Sequence, residues 1–320
     1  MRNGGGGEYL SSQLALSTSW VEDKQDIPGI LEGTQEAGYT HIELGFQFRD
    51  KELKEVKSQL PKYSLEVVTV HNFCPFPISD FSYFPNPDYF SLSSPDEDER
   101  KLAVQYTLGT LETAYELSAK VVILHAGKVD IEDETLKLWE QSSRNFQKFK
   151  TDLSRFMSIR NQKAKRFIDS LKFSIEELLK WAQKLNVTIA LESRYYLNEI
   201  PELEEMIDIL SVFDTSFLGY WHDIGHVNVR EKLGLYTQME AITKLEKYLT
   251  GFHIHDAQGI DDHKLLGKGD INFDFLGNYR DKIQVLEVHP PVNSQQLRTS
   301  RELWERIFYS GKLREMDIKS

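Results

Sequence analysis

Eight short runs rich in β-branched residues, set between amphipathic helical stretches, constrain this chain more than anything else in it. The runs are LALST at 14–18, THIELGF at 40–46, LEVVTVH at 65–71, AKVVILH at 119–125, VTIALE at 187–192, FLGYWHD at 217–223, LTGFHIH at 249–255 and IQVLEVH at 283–289. Between them, stretches such as IPGILEGTQEAG, AVQYTLGTLETAYELSA and FSIEELLKWAQKL repeat apolar residues every three or four positions, which gives each helix one face to lay on a sheet. Strands alternating with helices point to a parallel sheet of βα units, and eight such units in 320 residues is the arithmetic of a single (β/α)8 TIM barrel of the α/β class. No repeat with a period of about 20 to 50 residues and no shift of composition marks a second domain. Residues 13–320 are therefore read as one barrel, and residues 1–12, with their four consecutive glycines, as a disordered tail. Two connections are long. The segments 72–97, rich in Pro, Phe, Tyr and Ser, and 128–165, rich in Lys, Glu, Gln and Arg, follow the third and fourth strands, and both are expected to be loops that form lids or walls over a pocket.

The ends of the strands carry the chemistry. His71 ends the third run, His125 the fourth, Glu192 the fifth and Asp223 the sixth, while His253 lies within the seventh and Glu287 within the eighth. Each has a plain structural account when taken singly: a histidine at a strand end is usually a satisfied polar residue, and a glutamate in an apolar run can be a buried ion pair. A buried carboxylate does need a cation or strong donors. Barrel closure brings all six side chains to one cup, where six separate structural accounts would have to hold at once. Cys74 is the only cysteine, so neither a disulfide nor a thiolate cluster is available. Imidazoles mixed with carboxylates suit one to three divalent ions of zinc, manganese, iron or cobalt. Three more residues extend the set: His226 in HDIGH, and Asp261 and His263 in IDDHKLLGKGD, where Gly267 and Gly269 permit a tight turn that carries the pair inward. A glycine-rich phosphate cradle is the rival reading of that segment, which lacks the GK[ST] ending such a loop carries.

A formal charge of −12 and a pI near 5.3 disfavour non-specific attraction to a nucleic-acid backbone. No apolar run is long enough for a membrane span, and the first residues lack the basic flank and apolar core of a secretory signal, so the cytoplasm is the expected compartment.

The strand ends VTVH, VILHAG, ALES, HDIGH and HIHD, the DxHxxLGxGDI segment and VLEVHP, in this order and spacing, resemble the xylose isomerase-like superfamily over residues 13 to 310. That superfamily includes sugar isomerases and epimerases and the AP endonucleases of the endonuclease IV type. The resemblance implies a TIM barrel with metal at its C-terminal face. In the one-metal isomerases and epimerases the ligands come from strands five to eight, which here implies Glu192, Asp223, His253 and Glu287; His253 is preferred to His255 because the family's ligand stands three residues before an Asp, here Asp256. In the endonuclease branch nine ligands hold three zinc ions. The resemblance then implies His71, His125 and Glu192 for the first ion, Glu192 bridging to a second with Asp223, His253 and Glu287, and His226, Asp261 and His263 for the third. The surroundings HDIGHVNV, HDAQG and ALESRYY and the insertion at 128–165 depart from the endonuclease pattern, which puts DNA in doubt as substrate and leaves the metal ligands intact.

Three functions fit these observations. The first is isomerisation or epimerisation of a small sugar or sugar phosphate, with Glu192 and Glu287 relaying a proton across the metal and Arg194, Tyr195, Tyr196, Trp221 and His289 gripping hydroxyls or phosphate. The second is phosphoester hydrolysis at two or three metals, favoured by the full nine-residue set. The third is a metal-stabilised binding module without catalysis, which the intact ligand set disfavours.

Overall fold

The computed structural model describes residues 14–78 and 84–310; the tail expected at 1–12 lies outside them. All eight runs form strands, each parallel to its neighbours: β1 (Leu14–Ser17), β2 (His41–Leu44), β3 (Glu66–His71), β4 (Val121–Leu124), β5 (Thr188–Glu192), β6 (Leu218–Asp223), β7 (Leu249–Ile254) and β10 (Ile283–Leu286). Pairing of β10 with β1 closes the barrel, and a short antiparallel hairpin, β8 (Asp256–Gln258) and β9 (Asp261–Lys264), stands between β7 and β10. Nine α-helices lie among the described residues: α1 (Ile27–Glu36), α2 (Asp50–Gln59), α3 (Glu97–Glu116), α4 (Thr135–Arg144), α5 (Phe146–Leu185), α6 (Leu203–Phe213), α7 (Ile224–Lys232), α8 (Gln238–Leu245) and α9 (Ser294–Ser310). None of them is long and apolar enough to cross a membrane.

Strand pleating sorts the side chains into two layers, because successive residues point to opposite faces. Leu16, Ile42, Val70, Leu124, Leu191, Phe252 and Ile254 face the helices in the main core. Ala15, Val68, Val121, Ile123, Ala190, Trp221 and Val285 fill the interior. The same parity aims the residue at the C-terminal end of each inner row at the mouth: Glu192 follows Ala190, Asp223 follows Trp221, and Glu287 follows Val285. Trp221, expected to grip substrate, is instead fully buried and lies edge-on to His253 at 5.2 Å between ring centroids. It is the floor of the site. Gly251 on the neighbouring strand makes that possible, since a Cβ there would fall 2.4 Å from the indole.

The segment 128–165 is not a loop. It holds α4 and the first half of α5, a helix of 40 residues, about 60 Å long at 1.5 Å per residue. The apolar stripe Phe149, Leu153, Phe156, Ala164, Phe167, Leu171 runs at helical spacing and buries one face, and no glycine or proline interrupts Phe146–Leu185. Heavy charge on the other face hides this periodicity. The expected wall does form, from helix: Leu138, Phe149, Leu153 and Phe156 pack with Leu197, Val229, Leu233 and Ile260 of the barrel rim in a second small core. The described residues between β3 and α3, 72–78 and 84–96, form neither helix nor strand. Phe81 and Tyr83, expected to cover the pocket, lie outside the described residues, whereas Phe84 is exposed and lines a cavity at the mouth together with Phe46 and His289.

Candidate metal centre

Glu192 stands at the middle of the cup. His71 Nε2 lies 3.4 Å and His125 Nε2 2.8 Å from its Oε2, and His253 Nδ1 lies 2.7 Å from its Oε1. His253 Nδ1 also faces Glu287 at 3.2 Å and Asp223 at 3.6 Å. The far nitrogen of each ring has a fixed acceptor, which decides where its proton sits. His71 Nδ1 meets the Asn72 carbonyl at 2.9 Å, His125 Nδ1 meets Asp88 at 3.0 Å, His226 Nδ1 meets the Ser193 carbonyl at 2.9 Å, and His253 Nε2 meets Glu43 at 3.0 Å. With protons held on those outer nitrogens, the inner nitrogens of neutral rings present lone pairs to carboxylate oxygens that only accept. A positive charge must lie between them, either a second ring proton in ion-free protein or a divalent cation in its place, and a buried set of imidazole and carboxylate donors fits the cation.

Three groupings each have all their donor atoms within 4.8 Å of one another: His71, His125 and Glu192; Glu192, Asp223, His253 and Glu287; and His226, Asp262 and His263. A fourth, Asp223, His255, His263 and Glu287, shares Asp223 and Glu287 with the second and His263 with the third. The third carries a correction. Asp261, expected as a ligand, points to solvent and pairs with Lys264 at 2.6 Å, while Asp262 faces His263 at 3.0 Å and His226 at 3.9 Å. Adjacent residues of a strand project to opposite faces, so the DDH string offers one aspartate inward and one outward; spacing alone did not say which.

The glycines of LGKGD act differently from a phosphate cradle. Asp256 Oδ2 accepts the main-chain N–H of Gly267 (3.0 Å) and Gly269 (2.8 Å), and its Oδ1 accepts those of Ala257 (2.9 Å) and Ile271 (3.2 Å). The loop is wrapped around an internal anion, and Gly267 has the positive φ that the turn requires. Burial raises the Asp256 pKa, and these four N–H groups oppose the rise.

The remaining expected substrate residues divide. Arg194 is buried; one of its terminal nitrogens pairs with Glu199 and Asp88, and the other lies 3.6 Å from Glu192. Tyr195 donates its hydroxyl to the Ile260 carbonyl at 2.7 Å and belongs to the rim core, so it shapes the wall. Tyr196 is half-exposed at the rim. His289 stacks on His263 at 3.8 Å and borders a cavity of about 510 Å³ that Phe46, Gln47, Lys24 and Arg49 also line. That cavity lies on the side of β1 and β2, the two barrel strands that contribute no residue to the groupings. Sequence reasoning missed Glu43, Asp88, Glu199 and Asp262, and weighed His255 only as an alternative to His253. Glu43 in HIEL and His255 in HIH both fall at inward positions of their strands, a signal open to parity alone; Asp88 and Glu199 sit in irregular loops and give none.

Burial alone would lower the pKa of His125 and His253, yet the acids around them hold His125 up at about 9 and His253 well above the usual imidazole value. Glu192 and Asp223, although burial opposes it, are held well below the carboxylate range by the histidines. Raised histidines stabilise the fold fully below about pH 6.5 and lose that contribution as pH climbs through their folded values; depressed acids contribute above about pH 4 and lose it in strong acid. Ion-free protein is therefore expected to be most stable between these limits and to melt at progressively lower temperature from pH 6.5 to 9. Thermal melts in a chelating buffer check this, and a melting temperature rising across that window would contradict it.

Closed barrel, strand-end imidazoles and carboxylates together define a TIM barrel with candidate metal-ligand groupings at its mouth, and the chain belongs to the xylose isomerase-like TIM barrel family, whose model matches residues 31–279. Among curated proteins it is 28% identical over 231 residues to an uncharacterised protein of Methanocaldococcus jannaschii, covering 70% of this chain and 62% of that protein's length, less than two thirds of it. Among solved structures, a D-tagatose 3-epimerase-like protein superposes with a TM-score of 0.68 at 21% identity over 93% of this chain and 98% of the other. The IOLI protein with a bound zinc atom gives 0.64 at 15% identity over 94% and 100%. These structural likenesses establish the fold.

Proposed function

We propose that this chain is a divalent-metal-dependent epimerase or isomerase of a small sugar or sugar phosphate. The observation that carries the reading is the grouping of Glu192, Asp223, His253 and Glu287, with two buried glutamates converging on one imidazole nitrogen. Moving a proton beside a carbonyl takes one group to remove it and another to return it. Glu192 and Glu287 supply that pair, and their histidine neighbours hold both in the ionised form that a proton acceptor needs. A bound divalent cation would contribute Lewis-acid polarisation of the carbonyl. The cavity beside His289 gives the rest of the substrate a place between Phe46 and the polar groups of Gln47, Lys24 and Arg49. The D-tagatose 3-epimerase-like neighbour supports a ketose as the first substrate to try. The test is proton exchange: protein loaded with Mn2+, Co2+ or Zn2+ is incubated with ketohexoses and their phosphates in D2O, and loss of the signal of the proton next to the carbonyl is followed by NMR. No exchange with any of them, alongside hydrolysis of bis(p-nitrophenyl) phosphate, would overturn the reading.

One observation favours the second reading, phosphoester hydrolysis: the additional grouping of His226, Asp262 and His263. A proton-transfer enzyme has no need of it. If that grouping holds an ion, His263→Ala is expected to lower bound metal by about one ion per chain while the others persist. Elemental analysis of the two proteins decides, and equal counts near one would leave the epimerase reading alone.

A further inference from the structure

The two histidines of HIHD both project into the barrel, both are completely buried, and both approach Asp223. Their hydrogen bonds set them apart. His255 Nδ1 accepts the main-chain N–H of His263 at 2.9 Å, so that nitrogen carries no proton. Its Nε2 therefore bears the ring proton and donates it to Asp223, whose oxygens lie at 3.0 and 3.1 Å. A ring held in this way has no lone pair left for a cation. His253 is held the opposite way. Its Nε2 donates to Glu43 at 3.0 and 3.2 Å, which leaves Nδ1 for the three carboxylates of the cup. Glu43 is itself completely buried and is fixed by the Thr69 hydroxyl, which donates to its Oε2 at 2.8 Å.

Both arrangements are built into the backbone. A register shift between Ile42 and Glu43, where β2 pairs with β3, sets Glu43 opposite Thr69. Gly225 leaves the space that His255 fills, since a Cβ there would fall 2.0 Å from the His255 ring. A charged carboxylate at the dry centre of a barrel is costly without a partner, and Glu43, completely buried, belongs to none of the ligand groupings among the described residues. Its hydrogen-bond partners are His253 and Thr69.

We propose that Glu43 and His255 are positioning residues of the metal centre: Glu43 fixes the His253 ring so that Nδ1 is the ligating atom, and His255 is a non-ligating donor that orients Asp223. This rests on the metal-centre part of the proposed function and adds what sets the affinity. A carboxylate behind a ligating imidazole fixes the ring and raises its basicity, and its loss typically weakens metal binding about 10- to 100-fold.

The experiment uses the full chain and Zn2+ alone, titrated against a chromophoric chelator, with Co2+ absorption as a second signal of coordination. Glu43→Gln keeps the volume and one acceptor but removes the charge; it is expected to weaken the tightest zinc site about 10- to 100-fold and to shift the Co2+ bands, with the circular dichroism of the zinc-free protein that of the wild type at low temperature. His255→Gln is expected to keep the zinc count of the wild type, whereas His253→Ala loses the tightest ion. Wild-type affinity in Glu43→Gln, or loss of an ion in His255→Gln, overturns the proposal. If Glu43→Gln fails to fold, Thr69→Val removes only the hydroxyl that holds Glu43; a weaker zinc site is then expected, and unchanged affinity overturns the proposal. Wild-type protein that binds no zinc or cobalt would instead bring down the metal-centre reading, a result distinct from the other two.

Discussion

Replacing Glu192 by alanine is expected to produce the largest single loss of function in this chain. Glu192 belongs to two of the donor groupings, and its two oxygens face opposite ways: Oε2 toward His71 and His125, Oε1 toward His253. On the proposed reading the change removes a proton acceptor and a shared anionic ligand together, so proton-exchange activity should fall by about 10²- to 10⁴-fold and metal content should drop in the same sample. Glu192→Gln, which keeps the shape and loses the charge, separates fold from chemistry: circular dichroism should match wild type while activity stays lost. A glutamine variant retaining a tenth of wild-type exchange would place the base elsewhere.

The second large effect is expected at a residue that touches no candidate ligand. Asp256→Ala leaves the N–H groups of Ala257, Gly267, Gly269 and Ile271 without their acceptor. Orphaned buried donors cost about 1–3 kcal/mol each; Gly267 and Gly269 are themselves exposed and regain water, so a net loss of about 2–4 kcal/mol is expected. The loss should be local at first. The loop from Leu265 to Ile271 packs under the hairpin that carries Asp262 and His263, and it should be cut by protease before the barrel melts. Limited proteolysis and a urea melt check the two parts, and a variant with wild-type resistance to both would show that solvent replaces the anion at little cost.

Much of this was legible before any coordinates. Short β-branched runs set between amphipathic helices located the strands, and barrel closure turned their ends into one cup, so His71, His125, Glu192, Asp223, His253 and Glu287 arrive where strand parity sends them. What escaped had physical reasons. Asp261 and Asp262 are adjacent, and choosing between them needs the twist of a two-stranded hairpin. Trp221 sits one pleat below Asp223, so its inward direction is right and its depth is wrong for substrate. The first half of α5 was hidden because Lys, Arg and Asp crowd its outer face and dilute a regular apolar stripe. Asp88 reaches His125 from an irregular segment 37 residues earlier in the chain, a contact no local pattern announces.

The small core between α5 and the rim has a further consequence, for the order in which the molecule comes apart. Leu138, Phe149 and Phe156 hold Leu197, Val229 and Ile260 through contacts independent of the barrel's own interior. Such a patch is a separate cooperative unit, with a smaller opening free energy than the closed sheet beneath it. Amide protons of the first four turns of α5 should then exchange with solvent together with those at the β5 and β7 ends of the mouth, and ahead of the strands. One sector of the mouth can thus breathe while the strands that hold the candidate ligands stay shut.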